Sequence, residues 1–192
     1  MRGRKLLALD YKQYAANRLD RARFFGVLPL EEGEGPGLRR ERYLWGEVLV
    51  LDRVGRSRYF LDEHYTPSSE AARSALLRYA LVKVLEERGY TLKGRIGEVM
   101  VLSCPAGRRV FLAAKWGGYS PDGVKRLYRQ MERYLFQTGG TFWFLPAPGR
   151  RFGRFLKAHP AADTLPEEVA KAGLEAFARL AQASPPKRGV SG

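Results

Sequence analysis

Two charged residues interrupt apolar runs in the middle of this chain: Glu98, near the start of GEVMVLSC, and Lys115, at the end of VFLAAK. A carboxylate and an ammonium on neighbouring strands have three uses. They can form a structural ion pair, they can reach solvent from strand ends, or they can belong to a centre that works on a phosphate. The chain has only two histidines, His64 and His159, far apart in sequence, so a His-based triad is not expected. Catalysis, if any, must then rest on carboxylates, lysine and a metal. There is no P-loop, no dinucleotide-type glycine fingerprint and no G-x-S-x-G elbow. Gly117-Gly118 and Gly139-Gly140 read as turn formers at strand ends. The single cysteine, Cys104, rules out an internal disulfide and reads as a buried filler, and no Cys/His spacing suggests zinc.

The second chemistry on offer is positive charge. The 192 residues hold 34 Lys and Arg against 20 Asp and Glu, a formal net charge of +14. The excess runs the whole length and is not confined to a tail. A folded body this basic is most simply explained by a nucleic-acid partner; a basic subunit of a protein assembly is the alternative. Three stretches concentrate the charge. Lys125, Arg126, Arg129 and Arg133 occupy one side of a predicted helix on which Glu132 is the only acid, a balance that favours phosphate contact over a plain solvated face. Arg150, Arg151, Arg154 and Lys157 interleave with Phe152 and Phe155, which suits backbone contact with base stacking, or else a surface loop with two core phenylalanines. Arg53 and Arg56 fall at the turn of a predicted hairpin.

These side chains need elements to hold them. GEVMVLSC, VFLAAK and TFWFLPA do not alternate apolar with polar, so each is expected to be a strand covered on both faces. Ser120 as cap, Pro121 at the first position and the spacing of Val124, Leu127, Tyr128, Met131 and Leu135 predict a helix over 120–136. Thr66 and Pro67 start another, predicted to run to Arg88 and to be apolar round most of its circumference, hence buried. Earlier, residues 5–9 suggest an edge strand, and Asp10 caps a helix ending at Gly26. EEGEGPG, residues 31–37, reads as a flexible loop and the best internal boundary. Tyr43–Asp52 and Arg58–Asp62 read as a hairpin about VGRS, either a winged-helix wing or an extension of the main sheet. Thr164 and Glu167 form a capping box before a last amphipathic helix. The expected fold is α/β or α+β: a mixed sheet from residues 90–145 flanked by helices. The expected organisation is an N-terminal helix-hairpin element over 1–65, the core with its C-terminal helix over 66–183, and a disordered tail over 184–192.

The order helix, strand, strand, strand, helix, strand from Thr66 to Leu145 resembles the core of the PD-(D/E)XK nuclease-like fold. The resemblance implies that Glu98 matches the acid of the second strand and Lys115 the lysine of the third. It implies a second acid at residue 113, which here is Ala113, and loosely an accessory acid, Glu70, on the first helix. Magnesium would be the cofactor of an active member; with one strand carboxylate missing, the core is expected to be degenerate and no cofactor is expected. More loosely, the chain is similar to plasmid replication-relaxation type proteins, which implies a role in plasmid or mobile-element DNA transactions.

The expected function is therefore nucleic-acid binding, DNA favoured over RNA, on a nuclease-like, non-catalytic core. A metal-dependent nuclease using Glu98, Lys115 and a displaced acid is the enzymatic alternative. No apolar run reaches the ~18 residues of a membrane span, so no membrane partner and a cytoplasmic location are expected, with a homodimer left open.

Overall fold

The computed structural model describes residues 8–14 and 17–182. Its main sheet has six strands in the order β1-β5-β6-β7-β8-β9. These are β1 (Ala8–Asp10), β5 (Thr91–Ile96), β6 (Val99–Ser103), β7 (Arg109–Ala113), β8 (Thr141–Phe144) and β9 (Ala162–Thr164). The strands from β1 to β7 pair antiparallel, and β8 and β9 add in parallel. The mixed sheet flanked by helices is the architecture that the alternation of apolar runs and helical periodicity predicts.

Side chains of β6, β7 and β8 divide between two cores. Met100, Leu102, Leu112 and Ala114 lie in one with Leu76, Leu81 and Phe177. Val99, Phe111, Ala113, Phe142 and Phe144 lie in the other with Val124, Tyr128, Met131 and Phe155. Two-faced burial is why these strands read as continuous apolar runs. On the first face lie α4 (Ser69–Glu87) and α7 (Glu167–Gln182); on the second, α5 (Pro121–Thr138) and the short α6 (Gly153–Ala158).

The caps explain the helix limits. Ser120 Oγ accepts from Gly123 N at 3.1 Å, and Gly139 ends α5 in the left-handed region. The first core helix starts at Ser69, later than the Thr66-Pro67 pair predicts, because Ser68 supplies the capping oxygen to Ala71 N. The capping box predicted for the last helix does not form, since Thr164 closes β9 and α7 starts at Glu167. Cys104 is half-buried in the turn after β6, where its Sγ accepts from Arg108 N at 3.3 Å, and is not a core filler.

Residues 8–65 differ most from expectation. The predicted edge strand is found as β1, its residues 5–7 lying outside the described ones. The single helix predicted after Asp10 is two, α1 (Tyr11–Tyr14) and α2 (Arg18–Phe25), because Asn17 starts a new cap on Asp20 N at 2.9 Å. EEGEGPG is a tethered segment. Arg18 donates to the carbonyls of Glu32, Gly33 and Glu34, and the Glu32 carboxylate accepts from Arg21 at 2.7 Å and from Tyr79 Oη at 2.8 Å. The hairpin is β3 (Leu38–Tyr43) with β4 (Gly46–Leu51), turning at Leu44-Trp45. With β2 (Leu28–Pro29) it makes a separate three-stranded sheet and does not extend the main one. Arg53–Arg58 is a short helix, α3, started by the Asp52 carboxylate accepting from Gly55 N at 2.8 Å. Phe24, Leu28, Val48 and Leu49 share one core with Leu76 and Leu77. The expected tail, 184–192, lies outside the described residues.

Candidate functional site

Lys125 of the basic helix meets Arg151 and Arg154 of the later basic stretch. Helix α5 and the turn leading into α6 enclose a groove of about 930 Å³ lined by Lys125, Arg151, Arg154 and His159, with Asp122 its one acid. The meeting follows from packing. Phe152 and Phe155, each 8% exposed, anchor α6 to the face of the sheet beneath α5. The Phe155 ring lies 5.7 Å from Tyr128 and 5.7 Å from Phe144, and Phe152 lies 5.1 Å from Phe144. The phenylalanines are therefore core residues and cannot stack on bases. Their burial at these spacings turns Arg150, Arg151, Arg154 and Lys157 outward, and all four are exposed. The open loop predicted here is partly helix α6.

Lys125, Arg126, Arg129 and Arg133 are exposed along α5, opposite buried Val124, Tyr128, Met131 and Leu135. The ion pairs among the described residues draw on Arg21, Arg39, Arg40, Arg42, Arg53, Arg73 and Lys83, all before residue 88. Lys125, Arg126, Arg129, Arg150, Arg151, Arg154 and Lys157 make none among the described residues. Among the described residues the paired charges are thus in the first half of the chain, and these seven cations of the α5–α6 side have no carboxylate partner.

Arg53 and Arg56 are not at a hairpin tip. Arg53 pairs with Glu63 at 2.9 Å; Arg56 donates to the Asp62 carbonyl and lies over the Tyr65 ring at 4.7 Å. Both belong to α3, on the side of the molecule built by the small sheet.

Glu98 and Lys115 do converge, with Tyr119 and Arg126, on a small cleft of about 210 Å³ at the strand ends. Glu98 lies in the turn before β6 and Lys115 just past β7; both are exposed and they form no ion pair. The Glu98 carboxylate accepts instead from the Tyr119 hydroxyl, and Lys115 Nζ lies 4.9 Å from the Tyr119 ring centre. Burial and then the neighbouring Glu98 carboxylate push the Tyr119 phenol well above its ordinary value, so it stays protonated as a donor. Tyr119 is set by a close approach. Gly118 has φ +76°, and a Cβ there would sit 2.5 Å from the carbonyl carbon of Pro146, while Tyr119 N donates to Leu145 O at 2.9 Å. Sequence reading passed over Tyr119; the WGGYS context marks only a turn. His159, weighed from the sequence only as a triad member, lines the groove, held 4.5 Å from Tyr128 and 4.8 Å from Phe155.

The cleft does not fit a magnesium ion. Ala113, where the resemblance implies a second acid, is fully buried, and Glu70 pairs with Arg73 at 3.4 Å. No group of three or more His, Cys, Asp or Glu able to hold a metal occurs among the described residues. Magnesium takes near-octahedral oxygen ligands, usually more than one of them anionic, and Glu98 alone, already bonded to Tyr119, is a poor donor set.

Comparison with protein-family models, with curated proteins and with solved structures finds no match.

Proposed function

We propose that this protein binds nucleic acid, DNA in preference to RNA, along the α5–α6 side, without cleaving it. One observation carries the reading. Seven exposed cations on α5 and around α6 have no carboxylate partner among the described residues, and three of them, Lys125, Arg151 and Arg154, line a groove with a single acid. Surface cations kept for solubility are ordinarily interspersed with acids; a set without carboxylate partners matches a polyanion. The buried phenylalanines remove stacking from the interface, so contact is to phosphates and affinity carries little sequence dependence. The strand and helix order remains compatible with a nuclease-like core that has lost its metal site. A role in plasmid or mobile-element DNA transactions, in the cytoplasm, goes with that resemblance. No helix among the described residues is long and apolar enough to cross a membrane.

The test is fluorescence anisotropy with a short labelled duplex across a salt series. Affinity is expected to fall steeply between about 50 and 200 mM salt, as counterion release requires. Binding that ignores salt, or no binding to duplex or single strand together with co-purification of one acidic protein, would replace this reading with the assembly-subunit one. Incubation of linear, nicked and branched DNA with magnesium or manganese is expected to give no cutting. Cleavage lost on Glu98→Gln would instead restore the nuclease reading.

A further inference from the structure

A second concentration of arginines lies on the other face of the main sheet. Where α2, β4, β5 and α4 meet, a pocket of about 210 Å³ is lined by Arg23, Arg56, Arg78 and Arg95, and no Asp or Glu lines it. The four guanidinium groups come from four different elements, so no single charged face explains them. All four are partly buried. Arg78, on α4, donates to the Ala114 carbonyl at 3.1 Å and has no ion pair among the described residues. Arg95, on β5, has neither an ion pair nor a hydrogen-bond partner for its side chain among the described residues; its guanidinium lies 5.8 Å from the Phe24 ring centre.

This is an expensive arrangement for a merely structural cluster. Charges taken from water are ordinarily paired, and like charges brought together repel. Burial, followed by the nearness of Arg78 and Arg23, pushes the Arg95 guanidinium down to about 10. Burial also lowers Arg78, against the pull of the Tyr119 and Glu98 groups beyond it. Six other arginines in the same half of the chain are matched to carboxylates, as in Arg21–Glu32 at 2.7 Å and Arg40–Glu47 at 3.0 Å. Arg78 and Arg95 depart from that local habit.

We infer that this pocket binds a phosphate group, with Arg78 and Arg95 as its main ligands and Arg23 and Arg56 completing its wall. The planar donor forks of arginine match phosphate oxygens two at a time. The apolar remainder of the wall, including Val50, Leu51, Ala71 and Ala75, gives the anion a surrounding of low dielectric in which those bonds are strong. The phosphate comes either from a small molecule, as inorganic phosphate or a mononucleotide, or from the end of a nucleic-acid strand. The inference does not rest on the α5–α6 groove, which lies across the sheet.

The experiment is isothermal titration of the whole chain with inorganic phosphate, then adenosine 5′-monophosphate, against sodium chloride at matched ionic strength, with the melting temperature followed in parallel. Saturable phosphate binding and a rise in melting temperature are expected. Arg95→Gln should weaken binding by at least about 10-fold and raise the melting temperature in phosphate-free buffer, since it removes an unpaired cation. A structural arginine would lower it. Should Arg95→Gln fail to fold, Arg95→Lys decides: it keeps the charge, loses the fork, and should bind more weakly than the natural protein. The groove variant Arg150→Ala/Arg151→Ala/Arg154→Ala should bind phosphate normally. A single strand carrying a 5′-phosphate, compared with the same strand ending in hydroxyl, separates the sources. An Arg95-dependent preference for the phosphorylated strand assigns strand ends; equal binding of the two assigns the small molecule. No phosphate response beyond that of chloride, or an unchanged response in both Arg95 variants, overturns the inference.

Discussion

Neutralising the cations around α6 gives the sharpest quantitative consequence of the proposed interface. Arg150, Arg151 and Arg154 are exposed and make no ion pair among the described residues. Their replacement by alanine should therefore leave folding within about 0.5 kcal/mol of the natural chain. Each neutralised phosphate contributes about 0.9 to the slope of log affinity against log salt. If each of the unpaired cations Lys125, Arg126, Arg129, Arg150, Arg151, Arg154 and Lys157 covers one phosphate, the slope is roughly −6. Affinity then falls by about 10³- to 10⁴-fold between roughly 50 and 200 mM salt. The triple variant should retain a slope near about −4 and lose only about 100-fold over the same range. Anisotropy titrations at four or five salt concentrations measure both slopes. The matched control is Arg40→Ala/Arg42→Ala on β3, where Glu47 lies 3.0 Å and 3.8 Å from the two guanidinium groups; its slope should not change. A triple variant that melts normally yet keeps the natural slope would refute the reasoning, as would a control that loses as much.

Other consequences concern the scaffold. Phe155→Ala should cost about 3–5 kcal/mol of stability in denaturant unfolding, because the ring is core. If unfolding is unchanged and only DNA affinity drops, the ring is a stacking platform after all. Gly118→Ala places a Cβ 2.5 Å from Pro146 backbone atoms at φ +76°, so it should destabilise by about 2 kcal/mol or more; an unchanged melting temperature would count against that close approach. Glu32 is partly buried, which raises its carboxyl, but bonds from Arg21 and Tyr79 more than offset this and hold it below its ordinary value of 4.5. A depressed carboxylate contributes stability that is present above the unfolded value and is lost as pH falls through the folded one. Glu32→Gln should thus cost about 1–3 kcal/mol at pH 7, and the gap should narrow as pH falls below the ordinary 4.5 and close once it passes through the lowered folded value. A deficit equally large at both pH values would show that packing, not charge, holds the 30–37 segment.

The central architecture was legible because its signals are local and redundant. Ser120, Pro121 and the spacing from Val124 to Leu135 each specify α5 independently. The short, unalternating GEVMVLSC and VFLAAK, set off by turn residues, point to strands with both faces covered. The N-terminal region misled because its punctuation residues have tertiary jobs. The glycines of EEGEGPG signal a loose loop, yet the carbonyls around Gly33 are tied down by Arg18, fourteen or more residues away in sequence. VGRS has turn composition, but Asp52 one residue ahead supplies a helix cap. Of the sites, the outward cations of α5 follow from helical periodicity alone. The fate of Phe152 and Phe155 does not, since the pattern of bases between aromatics is the same whether the rings face a nucleic acid or a core. The Arg78–Arg95 pocket was not legible: its members are scattered over more than seventy residues and meet only when α2 and α4 pack on the sheet.

Hydrogen–deuterium exchange on the complex with duplex DNA tests the nucleic-acid interface most directly. The expected footprint is slowed exchange over residues 121–133 and 148–158, with 38–51 unaffected. Protection confined to the β3–β4 hairpin, or none at saturating DNA, would contradict the account.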